Sequence, residues 1–443
     1  MKCRLKSTSA LPAENVQATR FRTPAKPATE GEQLFYPKAP ETVHIDCGRI
    51  LRGDKRYAGQ IARNRSKLMS NREGYSCDAI RKRVLPALKM KKMESGVAHA
   101  RDYVFIEEEL RSSYHPQNYF CYTIDSKASS DFRRKMRQLP ACFPNVYVVS
   151  EEFNIDSWGR SMNKAHFECL KLLMEQPGWS YAILLQNHDL ILKSVYEMVE
   201  IYRLLGGAND VEIVRAPPDM YDNHKKWDAR SLNLFGKGSH ASNSQMNATL
   251  RFAKGVVQAS ISRAAVDWMV NTVNLTTLIE QINQEPFSDE LLLQSLQVSD
   301  DLDMPGRFTL TYWATRPPRS CLSGNVRHDI CIVGVEHLPG LSGAPQIMVN
   351  KALPDFDYGA IECVHELLFN RTFLGQVDKP LNASHYLSLG HVIYHKNRND
   401  HAWLASMNCS DLIPLERKVL RAARCDNDVD ALLADSVHWK QFK

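Results

Sequence analysis

The chain has 443 residues, of which 44% are hydrophobic and 24% are charged, and its formal net charge is +6. This composition excludes disorder throughout, because 16 Phe, 16 Tyr and 7 Trp residues can build a large core. A charge of +6 on so long a chain does not demand a nucleic-acid partner.

The N-terminal part of the chain differs in composition from the rest. Residues 1–44 are polar with repeated Pro, which predicts a flexible tail. Residues 45–95 are basic with a helical pattern and predict a helical stem, whose charge we interpret as a solvated face. The chain starts with positive residues, but we find neither the apolar segment of a signal peptide nor a run of about 18 apolar residues.

Strands and helices alternate in the next part of the chain. Residues 119–124, 145–149 and 181–185 form apolar runs typical of strands, and helical patterns cover 128–139 and 164–174. This alternation predicts an α/β fold with a mixed, mainly parallel central sheet flanked by helices.

Helices and a long loop are predicted beyond the third strand. A helix over 190–205 is ended by two glycines, and the polar stretch 217–247 predicts an irregular surface loop. Ser262 is a predicted N-cap, and a helix over 288–297 is predicted to begin at Ser288. Clear periodicity is lost after residue 371, which predicts a C-terminal appendage over 377–443.

The 11 cysteines are scattered, without a Cys-x-x-Cys pair, which argues against a zinc ribbon or finger. Buried thiols in a cytosolic protein and disulfides in a secretory protein both remain open. Six Asn-x-Ser/Thr sequons favour the secretory interpretation, because about three are expected by chance. They begin at Asn64, Asn247, Asn274, Asn370, Asn382 and Asn408.

Several polar residues occur where an α/β protein binds ligands, although each also has a plain structural explanation. Asp125 ends an apolar strand, where ligands bind in open α/β sheets, but it also suits a loop cap. Glu290 lies near a helix start, so it is either a general base or a charge that offsets the helix dipole. Arg327 and Lys351 could clamp a diphosphate, and His188 follows the third strand.

No Asp-x-Asp pair directly follows one of these early strands, where a metal-dependent nucleotide-sugar transferase needs it to hold a divalent cation. We interpret the Asp-x-Asp matches as turns and surface. They are Asp301/Asp303, Asp355/Asp357, Asp426/Asp428 and Asp428/Asp430. P-loop, Rossmann, hydrolase-elbow and zincin motifs are missing from the sequence, which makes those classes of enzyme improbable.

Taken together, the segments resemble the core-2/I-branching β-1,6-N-acetylglucosaminyltransferases, to which peptide O-xylosyltransferases are related. The resemblance runs from about residue 47 to about residue 368, and Gln-Asn-His-Asp at 186–189 looks like the nematode branch. It rests on the order and spacing of segments 116–127, 142–150, 157–158, 179–181, 185–189, 255–263, 289–291, 325–331, 350–351 and 360–363.

The resemblance implies a GT-A-like catalytic domain over 96–376 and an inverting enzyme that needs no metal cofactor. Such an enzyme moves GlcNAc from UDP-GlcNAc to a hydroxyl of a glycan acceptor, as in β-1,6 branching of O-glycans. By similarity Glu290 is the catalytic base, Arg327 and Lys351 neutralise the diphosphate in place of a metal, and Asp125 contacts the nucleotide. Further residues fall where the family binds the acceptor, namely Glu212, Lys226, Trp227 and, by substitution, Tyr312 and Trp313.

The resemblance also implies four disulfides and a place in the Golgi lumen as a type II membrane protein. The implied pairs are Cys47–Cys363, Cys77–Cys142, Cys121–Cys169 and Cys321–Cys331. The family's anchor helix is not visible here, so membrane contact is expected only through a segment that this sequence does not show.

Two departures from the family pattern leave alternatives open. The segment before Tyr103 lacks several residues of the family's first strand, so an inactive glycan-binding relative is one alternative. A UDP-xylose-dependent transferase is another, because that reaction uses a related scaffold. The segment 309–319 differs from the family's acceptor-side segment, so the sequence leaves the acceptor undefined.

Overall fold

The computed structural model describes residues 2–7, 35–68, 75–85, 103–236, 239–307, 314–315, 321–327 and 330–406. The described strands are β1 (Lys2–Ser7), β2 (Asn118–Asp125), β3 (Val146–Phe153), β4 (Trp179–Leu185), β5 (Asp189–Ile191), β6 (Asp210–Val211), β7 (Val214–Arg215), β8 (Ala253–Lys254), β9 (Ala259–Ser262), β10 (Ala314–Thr315), β11 (Val326–Arg327), β12 (Ile330–Cys331) and β13 (Met348–Asn350).

The first half of the described chain contains the helices α1 (Cys47–Leu51), α2 (Lys55–Arg63), α3 (Cys77–Val84), α4 (Tyr103–Ser113), α5 (Ser130–Met136), α6 (Leu139–Cys142), α7 (Met162–Met174) and α8 (Val195–Leu205). The second half contains α9 (Asn243–Asn247), α10 (Arg263–Asp267), α11 (Thr276–Ile282), α12 (Leu292–Val298), α13 (Leu338–Leu341), α14 (Tyr358–Phe373), α15 (Ala383–Leu387), α16 (Gly390–Asn397) and α17 (His401–Ser406). Short 3₁₀ helices cover Pro218–Met220, Ser288–Glu290, Asp300–Leu302 and Val335–His337, and Trp268–Thr272 is a π-helical turn.

The central sheet has the strand order β3-β2-β1-β4-β9-β6. Within it only β2 and β3 pair in parallel, whereas β1 pairs antiparallel with β2 and β4, and β9 pairs antiparallel with β4 and β6. The prediction of an α/β fold is confirmed, but the prediction of a mainly parallel sheet is wrong. The reason is that β1 and β9 run against the other four strands and separate them.

Strand β1 comes from the segment that the sequence predicts to be a flexible tail. Its backbone pairs along its length with β2 on one side and with β4 on the other. The segment before Tyr103, where the sequence lacks part of the family's first strand, lies outside the described residues up to residue 102.

The sheet is covered on both faces, and the side chains of β4 show how. Ala182 and Leu184 pack in a core with α7, α10 and α12, whereas Tyr181, Ile183 and Leu185 pack in a core with α1, α8 and α14. This alternation follows from the two-residue period of a strand. A third core joins β2 to α3 and α4.

Two predicted helix starts differ in the structure. The helix predicted over 190–205 begins only at Val195, because Asp189–Ile191 pairs instead with β13 as a strand. Ser288 does not cap an α-helix but begins the 3₁₀ helix Ser288–Glu290, which precedes α12. The Ser262 cap is confirmed, since its hydroxyl accepts a hydrogen bond from the N–H of Ala265.

All four disulfides implied by the resemblance are present in the structure, namely Cys47–Cys363, Cys77–Cys142, Cys121–Cys169 and Cys321–Cys331. The first joins α1 to α14, across 316 residues of sequence. Closing so long a loop is worth up to about 5 kcal/mol in the chain-entropy account. The N-terminal helices are thereby tied to the second core.

Candidate active site

Strands β2, β3 and β4 run in the same direction, so their carboxyl ends meet at one edge of the sheet. Asp125 is the last residue of β2 at this edge, and its side chain is 37% exposed. One of its carboxylate oxygens lies 3.0 Å from Lys127 Nζ. Ligands of open α/β sheets bind beyond this edge. The candidate site consists of this edge and the loops that face it.

Glu290 closes the 3₁₀ helix Ser288–Glu290, and its side chain is 29% exposed. The turn starts at Phe287, whose φ of 51° lies in the left-handed region that non-glycine residues seldom adopt. Asn163 on α7 donates a hydrogen bond of 2.6 Å to the Ser288 carbonyl. The carboxylate of Glu290 is therefore partly exposed to solvent, and the turn that carries it is fixed by a hydrogen bond from α7.

Gly255 connects this turn to the neighbouring loop. Its N–H donates to the Glu290 carbonyl at 3.0 Å, and a Cβ at this position would lie 1.9 Å from the Glu212 carbonyl oxygen. Only glycine allows the two backbones to approach so closely. Gly255 thus brings together the backbones of Glu212, which the resemblance assigns to acceptor binding, and Glu290, which it assigns as the catalytic base.

Two charged side chains flank Glu290. Lys254 Nζ lies 2.8 Å from Glu290 Oε2, so this ion pair fixes one oxygen of the carboxylate. Burial, together with the negative charge of Glu290, raises the pKa of Asp289 to about 7, and Lys254 acts in the opposite direction. The Asp289 carboxyl lies against Gly159, where a Cβ would be only 1.8 Å from its oxygen.

The other part of the site is a pair of cations. Arg327 is exposed on β11, in a hairpin closed by the Cys321–Cys331 disulfide. Burial lowers the pKa of Lys351, the positive charge of Arg327 lowers it further, and Asp189 raises it. The two predicted cations are therefore near enough for the charge of Arg327 to act on Lys351, as a site for an anion requires.

Asp189 supports this pair from inside the protein. It is fully buried, and one of its oxygens accepts hydrogen bonds from Gln258 at 2.6 Å and from Asn350 at 2.8 Å. Asp189 also pairs with Asn350 where β5 meets β13, and Lys351 is the next residue of the chain. His188, beside Asp189, accepts a backbone hydrogen bond from Ala352 through its carbonyl.

One short segment links the two halves of the site. Lys254 at its start contacts Glu290, and Gln258 at its end contacts Asp189. Four residue steps span at most about 14 Å. The residue that contacts the base and the residue that contacts the support of the cation pair are therefore no more than about 14 Å apart along the chain.

The other predicted acceptor residues differ in their exposure and surroundings. Trp227 is only 7% exposed, and its indole N–H donates to the Asp222 carbonyl while its ring packs against Phe252. Its ring is part of the core, because the loop folds back on itself there. Lys226 is exposed, and Tyr312 and Trp313 lie outside the described residues.

The Asp-x-Asp matches do not form a metal site in the described part of the chain. Among those residues no group of three or more His, Cys, Asp or Glu side chains could hold a metal ion. The interpretation as turns and surface is wrong for Asp357, which is fully buried, caps α14 and pairs with Arg65. Burial raises its pKa. Asp426, Asp428 and Asp430 lie outside the described residues.

Sequence reasoning missed Lys254, Gly255 and Asp189 as parts of the site. Gly255 carried a usable signal, since an isolated glycine between two strand-like runs indicates close approach of another backbone. Lys254 and Asp189 carried none, because their partners are distant in sequence.

Comparisons with known proteins agree with this architecture. A family model described as Core-2/I-Branching enzyme matches residues 96–342. A Mus musculus protein named beta-1,3-galactosyl-O-glycosyl-glycoprotein beta-1,6-N-acetylglucosaminyltransferase 3 is 25% identical over 386 residues, covering 76% of this chain and 86% of the relative. A Homo sapiens protein with the same name without the number is 26% identical over 322 residues, covering 65% and 73%. A Danio rerio protein with that name and the number 4 is 26% identical over 294 residues, covering 60% and 67%.

The matched region contains most of the sheet and the turn with Glu290, and it makes this chain a glycosyltransferase with a GT-A-like α/β fold. The chain belongs to the Core-2/I-Branching enzyme family. The resemblance drawn from the sequence is thereby confirmed. In the described part of the chain, no helix has the length and apolar character needed to span a membrane.

Proposed function

We propose that this protein transfers GlcNAc from UDP-GlcNAc to a hydroxyl of a glycan acceptor, with inversion at the anomeric carbon. The names of its relatives, which specify β-1,6-N-acetylglucosaminyl transfer to galactosylated O-glycans, support this assignment. The observation that carries it is Glu290, a partly exposed carboxylate on a turn fixed by hydrogen bonds and paired with Lys254.

In this mechanism Glu290 removes the proton from the acceptor hydroxyl as the oxygen attacks the anomeric carbon. The attack comes from the face opposite the departing UDP, so one displacement inverts the configuration. General-base catalysis of this kind contributes about 100- to 10,000-fold to the rate. Lys254 orients the carboxylate through its contact with Oε2.

Arg327 and Lys351 stabilise the charge that develops on the diphosphate as it leaves. Fixed cations can supply such stabilisation without a metal, because they are already oriented when the charge appears. The positive charge of Arg327 beside Lys351 is costly until an anion arrives between them. Asp125, at the end of β2, contacts the nucleotide in this proposal.

The proposed setting is the Golgi lumen, with the protein as a type II membrane protein. The four disulfides support it, because such bonds persist in oxidising compartments.

The test is transfer by Glu290→Gln, which keeps the size of the side chain but removes its basicity. We expect kcat to fall by at least about 100-fold while UDP affinity stays constant. Glu280→Gln, at an exposed position on α11, is the matched control. Near-normal turnover by Glu290→Gln would contradict the role, and a parallel screen with UDP-xylose identifies the donor.

A further inference from the structure

An exposed aromatic pair lies directly beside the base. Trp158 and Phe287 are 48% and 43% exposed, although large aromatic side chains are usually covered in a folded protein. Their ring centroids are 5.3 Å apart, and their planes are inclined by 38°. The two rings thus form one tilted apolar surface, which we call the aromatic platform.

The platform is held rigidly on the turn that carries the base. Ser288 N–H donates to the Trp158 carbonyl at 3.2 Å, and Trp158 N–H donates to Asp156 at 2.9 Å. The next residue, Gly159, lies against Asp289. These contacts join the Trp158 loop to the Ser288–Glu290 turn, so the platform and the base keep a fixed relation.

The platform also lies close to the reacting group. Lys254 Nζ is 5.9 Å from the Phe287 ring centre and 2.8 Å from Glu290 Oε2. Together these distances keep the carboxylate oxygen within about 9 Å of the ring centre. A sugar ring resting on the platform would therefore have its hydroxyls, or those of the adjoining sugar, within reach of the base.

We propose that Trp158 and Phe287 form a subsite for a pyranose ring of the acceptor glycan. One face of such a ring carries C–H groups with partial positive charge, which complement the negative face of an aromatic ring. The hydroxyls at its rim meet the charged pair Lys254 and Glu290. This inference rests on the proposed transferase function and assigns it an acceptor subsite.

The probe is the disaccharide galactosyl-β-1,3-N-acetylgalactosamine, which carries the β-1,3-galactosyl group that the names of the relatives specify. Trp158→Leu keeps an apolar side chain but removes the aromatic face, and Trp158→Tyr restores such a face. Tyr196→Leu, which removes another exposed aromatic ring, is the matched control. Direct binding of the disaccharide by calorimetry and its KM in transfer from UDP-GlcNAc are both measured.

We expect Trp158→Leu to raise the Kd and the KM for the disaccharide about tenfold, and Trp158→Tyr to recover most of the loss. UDP affinity and the unfolding midpoint should match those of the control, which excludes a general folding defect. Transfer with unchanged KM in Trp158→Leu would overturn the subsite while the transferase function stands.

The binding measurement also separates the subsite from the transferase function if no transfer is observed. If the wild type binds the disaccharide, loses that binding about tenfold in Trp158→Leu, and yet transfers nothing, the subsite stands and the transferase function fails. If the wild type does not bind the disaccharide at all, the subsite is overturned.

Discussion

Replacing Gly255 with Ala tests whether the close approach of the Gly255 and Glu212 backbones is needed to position Glu290, the proposed base. The new Cβ would lie 1.9 Å from the Glu212 carbonyl oxygen, whereas real Cβ atoms stay at least 3.0 Å from such a neighbour. One of the two backbones must therefore withdraw by about 1.1 Å. The atom in the way is main chain, so no side-chain rotation relieves the contact.

The displacement should be felt at Glu290, because Gly255 N–H donates to its carbonyl. A misplacement of about 1 Å can cost about 100-fold in rate, and overpacking costs about 1–3 kcal/mol of stability. We therefore expect Gly255→Ala to lower kcat about 100-fold and to lower the free energy of unfolding by about 1–3 kcal/mol.

The assay is steady-state transfer from UDP-GlcNAc, with chemical unfolding and UDP binding measured on the same preparations. Gly340→Ala is the matched control, because no atom lies within 4 Å of its new Cβ. A kcat for Gly255→Ala within about twofold of wild type would refute the reasoning, because the displacement would then not reach the base.

Two further predictions follow from the charges of the site. Burial raises the pKa of Asp289 to about 7, so the folded state retains a proton that the unfolded state loses near pH 4, and stability falls as pH rises from there through 7. Asp289→Asn should remove that loss, so the variant should gain on the order of 1–3 kcal/mol over the wild type at pH 8 compared with pH 4, measured by urea unfolding. Asp219→Asn, at an exposed position, is the matched control. Arg327→Met should weaken UDP binding about 10- to 100-fold by calorimetry, because a charged hydrogen-bond donor is lost, whereas EDTA should leave binding and turnover unchanged. Loss of activity on chelation, restored by Mn²⁺, would contradict the role of the fixed cations.

The sequence predicted the elements that depend on local pattern. The strands around residues 119–124, 145–149 and 181–185 and the helix around 164–174 are all present, because their apolar periodicity is strong. The direction of strand pairing could not be predicted in this way. It depends on which strands lie between β2 and β4, and that is decided by contacts far apart in sequence.

The site was predictable to a similar extent. The resemblance predicts Glu290, Arg327 and Lys351 as site residues, and in the structure the charge of Arg327 acts on Lys351. The resemblance predicts Trp227 on the acceptor side, but its ring packs in the core against Phe252 instead, a contact that the local sequence does not encode. Lys254 acquires its importance only from its 2.8 Å contact, which no local pattern encodes.

The short segment from Lys254 to Gln258 has a thermodynamic consequence for the binding of the two proposed substrates. Because its two ends contact the base and the support of the cation pair, we expect a shift imposed at one end to displace the other. Binding of the nucleotide and binding of the acceptor then share one free energy of interaction. Linkage requires this coupling to be reciprocal, so whatever factor UDP adds to acceptor affinity, the acceptor must add to UDP affinity.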